Sequence, residues 1–207
     1  MMNNISFSQE KISLPSPEKG KFSLNEVLSL RRSIRDYSLS SLTLEEVSTL
    51  LWAGYGRNNW GRKTVPSAGA LYPIFLYIVV GEVDGLDEGI YLYDSEEHAL
   101  IKLSSSNSRS QLSRASLNQR WVKVAPLLII ISADFSITTS RYDNRGIRYV
   151  WMEGGYVGQN IYLEATALKL ATVAVGAFYD EKVKRILNIK EEPLLIMPVG
   201  RPKERKW

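Results

Sequence analysis

The sequence predicts an α+β fold in one domain, and three observations carry that prediction. First, the run from Tyr142 to Phe178 places large apolar residues at Ile147, Val150, Trp151, Val157, Ile161, Leu163, Leu168 and Leu170. That spacing is nearer helical than alternating and predicts a long central helix over 144 to 169. Second, Ala125 to Ala133 (APLLIIISA) is a continuous apolar run of strand length, which belongs in the centre of a sheet, buried on both faces. Third, the regular strand-helix alternation of a doubly wound sheet is missing, and no G-x-G-x-x-G follows a strand. Gly154, Gly155 and Gly158 have the wrong spacing and lie inside the helix.

The remaining elements follow in chain order. Residues 1 to 22 are polar, contain Pro15 and Pro17, and read as an extended arm. Ser23 with Glu26 has capping-box spacing and opens a short helix over Asn25 to Arg32. That helix runs into Arg31, Arg32, Ser33, Ile34, Arg35, three guanidinium groups within five residues, which is either a solvated basic turn or an anion site. Thr43 and Glu46 repeat the capping box at the start of a second helix over Leu42 to Gly56. A polar loop then leads to Val65-Pro66-Ser67-Ala68-Gly69-Ala70-Leu71-Tyr72-Pro73. Small residues framed by prolines form either a tight structural turn or a segment whose backbone approaches a flat ligand.

Phe75 to Val80 reads as a strand, Gly89 to Asp94 with His98 to Leu103 as a hairpin, and Ser108 to Trp121 as a surface helix. After the central helix, Thr172 to Val175 is a β-branched run of strand type that stops at Gly176-Ala177-Phe178, where small residues leave backbone N–H groups accessible. Asp180 to Leu187 opens acidic and closes basic, as a short helix should, and Pro193 to Val199 is a last strand delivering Gly200-Arg201-Pro202-Lys203 to its end. The sum is about five strands and five helices.

Composition removes whole classes of chemistry. The chain has 207 residues, 44% apolar and 23% charged, the balance of a folded globular protein. With no cysteine and one histidine, thiol nucleophiles, Cys-ligated metal or iron-sulfur sites and His-rich metal sites are excluded, and no metal is expected. His98 lies in DSEEHAL, the exposed turn of the hairpin, a poor place for a Ser-His-Asp triad. An enzyme of this composition borrows its reactive group from a cofactor. No apolar stretch approaches a membrane span, and the Met-Met-Asn-Asn start lacks the form of a signal peptide, so the expected location is cytoplasmic with no membrane partner. The net charge of +4 gathers at Arg31 to Arg35 and Arg201 to Lys206 without the aromatic interleaving of a nucleic-acid binder. Two basic clusters can instead converge on one anionic ligand.

In this order, the arginine cluster, the proline-framed loop, the glycine-bearing helix, the small strand end and the basic tail resemble the FMN-dependent nitroreductase superfamily from Asn25 to Lys203. Pro66 to Pro73, Arg145-Gly146-x-Arg148-Tyr149, Gln159-Asn160-x-Tyr162-Leu163 and Val199-Gly200-Arg201-Pro202 look most like its thiazoline/oxazoline dehydrogenase branch. The resemblance implies a mainly antiparallel central sheet, an interlocked homodimer and FMN as cofactor. It implies that Arg31 and Arg32 meet the phosphate and ribityl chain, Ser33 the ribityl or pyrimidine side, and Arg35 the pyrimidine edge. Arg201 and Lys203 would close the phosphate site, while Pro66, Ser67, Ala68 and Gly69 would reach the flavin of the partner subunit. The backbone N–H of Gly176 or Ala177 would lie near flavin N5. The implied activity is ping-pong hydride transfer, NAD(P)H (NADPH or NADH) in and a nitroaromatic, quinone or similar flat acceptor out. The alternatives are an azoline-type dehydrogenase and a flavin-binding protein without turnover.

Two departures bear on the chemistry. Arg141-Tyr142 stands where the azoline dehydrogenases carry a Lys-Tyr pair. Tyr142 and Arg141 are the candidate catalytic residues, but an arginine stays protonated and cannot replace lysine as a base. Lys169-Leu170-Ala171 replaces the family's Gly-Leu-Gly, a packing difference.

Overall fold

The computed structural model describes residues 10–18 and 20–203. In chain order the elements are β1 (Lys11–Ser13), α1 (Leu24–Leu30), β2 (Leu42–Thr43), α2 (Leu44–Tyr55), a 3-10 turn at Ala68–Ala70, β3 (Ile74–Val80), β4 (Val83–Asp84), β5 (Gly89–Asp94) and β6 (Ala99–Ser104). There follow α3 (Arg109–Ala115), α4 (Arg120–Val124), β7 (Leu127–Ala133), α5 (Phe135–Tyr142), α6 (Arg145–Ala167), β8 (Ala171–Thr172), α7 (Asp180–Leu187) and β9 (Glu192–Gly200). Seven strands form one sheet in the order β1-β6-β5-β3-β7-β9-β8, with every pairing antiparallel; β2 and β4 make a separate parallel pair.

The run Ala125 to Ala133 behaves as its composition demands. β7 sits between β3 and β9 with all seven residues buried. Alternation along β3 and β7 sends side chains into two cores, one on each face of the sheet. Leu76, Ile78, Ile129 and Ile131 join Leu50 of α2 and Val157 and Ile161 of α6 on one face. Tyr77, Val79, Leu128 and Ile130 join Leu112 of α3, Val122 of α4 and Val183 of α7 on the other.

The central helix is 23 residues long and lies on the first face. Gly154 sits where β9 comes closest: a Cβ there would stand 2.7 Å from Leu194 Cδ1. A residue of poor helix propensity at this position is the condition for that close approach.

Four departures from the sequence expectation have local causes. The predicted surface helix over 108 to 121 is two helices, because Leu117 and Asn118 take positive φ (56° and 60°) and turn the chain. α5 was not expected at all: its Ile, Thr and Ser residues are poor helix formers, and Asp134 starts it by accepting the Ser136 N–H at 2.9 Å. The predicted strand over 172 to 175 forms ladder pairs only at Ala171–Thr172 and rejoins β9 by one bridge from Val175 to Ile196. Within the predicted arm, Lys11–Ser13 pairs with Ala99–Ile101 of β6 and becomes the sheet edge; residues 1–9 and 19 lie outside the described ones.

Candidate functional site

The two basic segments meet. Backbone bonds run from Ser38 N–H to Arg201 O (2.9 Å) and from Lys203 N–H to Asp36 O (3.1 Å), with a bridge between Tyr37 and Pro202. Ile34 N–H donates to Thr172 O at 2.9 Å, so the 31–38 segment is fastened to β8 as well. The buried Tyr37 hydroxyl reaches Pro198 O at 3.2 Å, and burial raises its pKa. Between these segments lies a cleft of ≈ 610 Å³ lined by Arg32, Ser33, Ile34, Arg35, Asp36, Pro202 and Lys203.

Tyr162, projecting from the C-terminal half of α6, organises the far wall of this region. Its hydroxyl accepts the Ala174 N–H at 2.7 Å and meets Ser33 Oγ at 2.8 Å, while the Arg31 guanidinium lies 5.2 Å from its ring centre. The Arg35 guanidinium lies 5.5 Å from the Trp121 ring. On the neighbouring turn, the Gln119 amide donates to Ala177 O at 3.0 Å. Gly176 and Ala177 are exposed. Arg31, Ser33, Arg35 and the 174–177 segment are thus linked through Tyr162 and the 119–121 turn.

Arg201 is differently engaged. Its Nη2 lies 3.0 Å from Glu46 Oε1 and its Nε donates to Ser41 O at 3.1 Å, so much of the fork is committed to the start of α2. It also borders an adjoining cleft of ≈ 640 Å³ together with Ser38, Ser40, Lys169, Pro202 and Lys203.

Pro66, Ser67, Ala68 and Gly69 stand elsewhere, against the N-terminal half of α6. Gly69 has φ +62°, and a Cβ there would lie 2.7 Å from the Tyr142 hydroxyl and 3.0 Å from Arg141 Nη1. The end of α5 therefore rests on this turn, which only glycine makes without strain. Tyr142 packs edge-to-face on Tyr149 at 5.3 Å. Pro66, Ser67 and Ala68 line a cavity of ≈ 220 Å³ with Tyr149, Met152, Glu153 and Tyr156. The structure thus joins Arg141 and Tyr142 to the proline-framed loop and leaves both apart from the arginine cluster. Tyr149 and Tyr162 are separated by about 20 Å along the α6 axis, at 1.5 Å of rise per residue.

Sequence reasoning gave no role to Tyr162, Trp121 or Glu153. Glu153 was the detectable one, since it stands on the apolar stripe of α6 between Val150 and Val157 and is only 2% exposed. The Tyr55 hydroxyl donates to its Oε1 at 2.8 Å. Burial raises its pKa, against the lowering influence of the Ser67 and Tyr55 hydroxyls. His98 is half-buried rather than exposed: its ring nitrogens meet Ser48 Oγ at 2.8 Å, Tyr93 Oη at 2.8 Å and Pro15 O at 3.0 Å. It fastens the N-terminal segment to α2 and the hairpin. Among the described residues no group of His, Asp or Glu side chains is arranged to hold a metal ion, and no helix is long and apolar enough to cross a membrane.

An antiparallel sheet laid on one long helix, with a basic cleft where the segments after α1 and β9 converge, defines a nitroreductase-like α+β protein. The chain belongs to the nitroreductase family, whose profile, described as "Nitroreductase family", matches residues 28–201. A protein of Methanocaldococcus jannaschii named as a nitroreductase is 49% identical over 192 residues, covering 92% of this chain and 96% of its own length. A crystal structure from Anabaena variabilis, also named as a nitroreductase, superposes with a TM-score of 0.85 at 29% identity, covering 94% of this chain. This chain spans only 42% of that longer one. The Escherichia coli microcin synthetase McbBCD complex with truncated pro-MccB17 bound contains a chain of the same fold, with a TM-score of 0.74 at 20% identity, covering 96% of this chain and 80% of that one.

Proposed function

We propose that this protein is a homodimeric FMN-dependent oxidoreductase, folded as one domain over 1–207 and working in the cytoplasm. The observation that carries the reading is the convergence of Arg32, Arg35 and Lys203 on one cleft, with Arg31 beside it over the Tyr162 ring. Asp36 is the one acidic residue in that lining against three cations; a net positive cleft suits an anionic ligand, and a guanidinium fork matches phosphate.

Arg31, Arg32 and Lys203 hold the FMN phosphate, Arg201 borders it, and Ser33, fixed by Tyr162, orients the ribityl chain. Arg35, held over the Trp121 ring, would present its positive charge to the pyrimidine edge, and the N–H groups of Gly176 and Ala177 would serve N5. Bound FMN supplies hydride exchange at N5, taken from NAD(P)H and passed to a nitroaromatic, quinone or similar flat acceptor in a ping-pong cycle. A fixed cation beside the pyrimidine edge stabilises negative charge that develops there.

Two observations support the homodimer. Ile147, Trp151, Met152 and Tyr156 on α6 and Leu24 and Leu28 on α1 are exposed large apolar residues on two helices that pack together. The four α6 residues lie within three turns of one another, and exposed apolar side chains gathered in this way mark an interaction surface. The distance between the arginine cluster and the 66–69 loop also favours a site completed by two chains, the cluster of one and the loop of the other.

A second reading, oxidation of an azoline or other C–N bond, draws on Tyr142, whose hydroxyl abuts the Gly69 turn. Its neighbour Arg141 cannot take up a proton, which weighs against that reading. The test is the absorption spectrum of purified protein followed by anaerobic titration. Bleaching by NADPH and recovery with a quinone supports the reductase. Bleaching by a heterocyclic substrate alone supports the dehydrogenase, a yellow protein that nothing reduces is a flavin carrier, and a colourless protein that takes up no FMN defeats the proposal.

A further inference from the structure

The flavin reading leaves unused a buried carboxyl with its own hydrogen-bonded chain. Glu153 is 2% exposed, holds the Tyr55 hydroxyl at 2.8 Å, and lines the cavity between the 66–68 loop and α6. Tyr55 Oη in turn accepts the Ile74 N–H at 3.3 Å, which fixes the phenol and directs its proton to the carboxyl. Ser67 Oγ accepts the Tyr72 N–H at 2.9 Å, leaving the hydroxyl proton free to point toward Glu153 or into the cavity.

We propose that Tyr55, Glu153 and Ser67 form a proton relay that opens through the Ser67 hydroxyl onto the heteroatom-bearing edge of a flat aromatic seated in this cavity. The proposal rests on the reading of the 66–69 loop as ligand-facing. Ser67 touches the acceptor; Glu153 is a positioning residue that acts through it. As the acceptor takes the Ser67 proton, the carboxyl proton of Glu153 forms a new O–H bond on Ser67. The carboxylate left behind keeps the Tyr55 hydrogen bond and regains its proton from solvent.

The surroundings favour a stored proton. The groups facing the carboxyl are hydroxyls: Ser67 from the loop and Tyr55 from α2, with Tyr149 and Tyr156 across the cavity from α6. The nearby cations are directed elsewhere. Lys63 lies over the Tyr55 ring at 5.6 Å and is paired with Glu96 at 2.5 Å, and Arg141 lies against Gly69 beside Tyr142. Burial without a facing cation disfavours the charged form, in accord with the upward direction of the Glu153 pKa.

The experiment compares wild type with Glu153→Gln and Ser67→Ala. In ligand-free protein at pH 7, infrared difference spectra in water and deuterium oxide should contain a protonated-carboxyl band that Glu153→Gln removes and Ser67→Ala keeps. In FMN-loaded protein, the pH profile of turnover should fall over the range in which that band titrates, and both variants should flatten this limb. Absence of a band lost in Glu153→Gln overturns the proposal, as does a pH limb unchanged in both variants. A chain that shows the band but retains no FMN sinks the flavin reading and with it the recipient of the proton, a result distinguishable from the other two. Should Glu153→Gln fail to fold, Glu153→Asp and Ser67→Ala carry the comparison: band and limb persist in the first, and only the band in the second. Loss of the band in Glu153→Asp, or survival of the limb in Ser67→Ala, counts against the relay.

Discussion

Tyr162 Oη lies 2.7 Å from the backbone nitrogen of Ala174 and accepts its proton, so one phenol ties the central helix to the segment that leaves the sheet. The same oxygen meets Ser33 Oγ at 2.8 Å. Tyr162→Phe removes both bonds and leaves the Ala174 N–H without its partner, at a cost of about 1–2 kcal/mol. Thermal unfolding should register the loss, and FMN retention on dialysis should fall with it. A variant of unchanged stability would show that the tie carries no weight.

Arg31→Ala and Arg35→Ala separate binding from tuning. The first should weaken FMN by roughly 1.5–3 kcal/mol, the range of a charge-assisted hydrogen bond, read by fluorescence titration. The second should keep the yellow colour but lower the reduction potential, because it removes the cation expected at the pyrimidine edge. Equal effects of both on affinity alone would refute this division of roles.

Arg201 is bound to Glu46 and Ser41 O, so its removal should be felt without any flavin. Glu46 also accepts the Thr43 N–H at 2.9 Å as the reciprocal half of the capping box of α2. Arg201→Ala should lower apoprotein stability by about 1 kcal/mol, the upper range for a partly exposed ion pair. An apoprotein with an unshifted melting temperature and a holoprotein with weakened flavin would assign Arg201 to the phosphate instead.

Ile147→Lys tests association. The side chain is exposed on α6, and a surface substitution of this kind changes the stability of an isolated chain by no more than about 0.5 kcal/mol. Sedimentation should nonetheless shift from dimer to monomer, with a parallel fall in flavin content. A variant that remains dimeric would move the interface off this face.

His98 predicts an acid-sensitive strap. Burial lowers its pKa, so the folded chain prefers the neutral ring. The sign follows from linkage: a group held neutral in the fold binds fewer protons than in the unfolded chain, so its stabilisation is present above the unfolded value of about 6.5 and is lost as pH falls below it. Once the slower intrinsic exchange at low pH is divided out, amide protection near Pro15 should fall from pH 7 to pH 5.5 in wild type, and His98→Gln should blunt that response. Identical profiles in the two proteins would dismiss the strap.

Much of the fold is legible where local chemistry and tertiary packing agree. Both capping boxes, Ser23 with Glu26 and Thr43 with Glu46, start helices, and the run that became β7 could only be a central strand. The misses occur where a distant partner decides. Ala174 is drawn out of the ladder by a hydroxyl twelve residues back, and the helix expected after Ser108 breaks at two positive φ angles that no periodicity signals. The convergence of Arg31 to Arg35 with Lys203 is legible through family resemblance, because nothing local links residues so far apart in sequence. Glu153 was overlooked because a stripe is read for its apolar members. An acid in their midst needs a reason, and Tyr55 supplies it from another helix.

The gap of about 20 Å along α6 between the Tyr162 region and the Tyr149 region gives the proposed enzyme a dependence on its own abundance. If each coenzyme must be embraced by both copies, loading becomes a second-order event. Thinning the solution would then shed the yellow coenzyme from the protein, and raising expression would restore its occupancy without any change in vitamin supply.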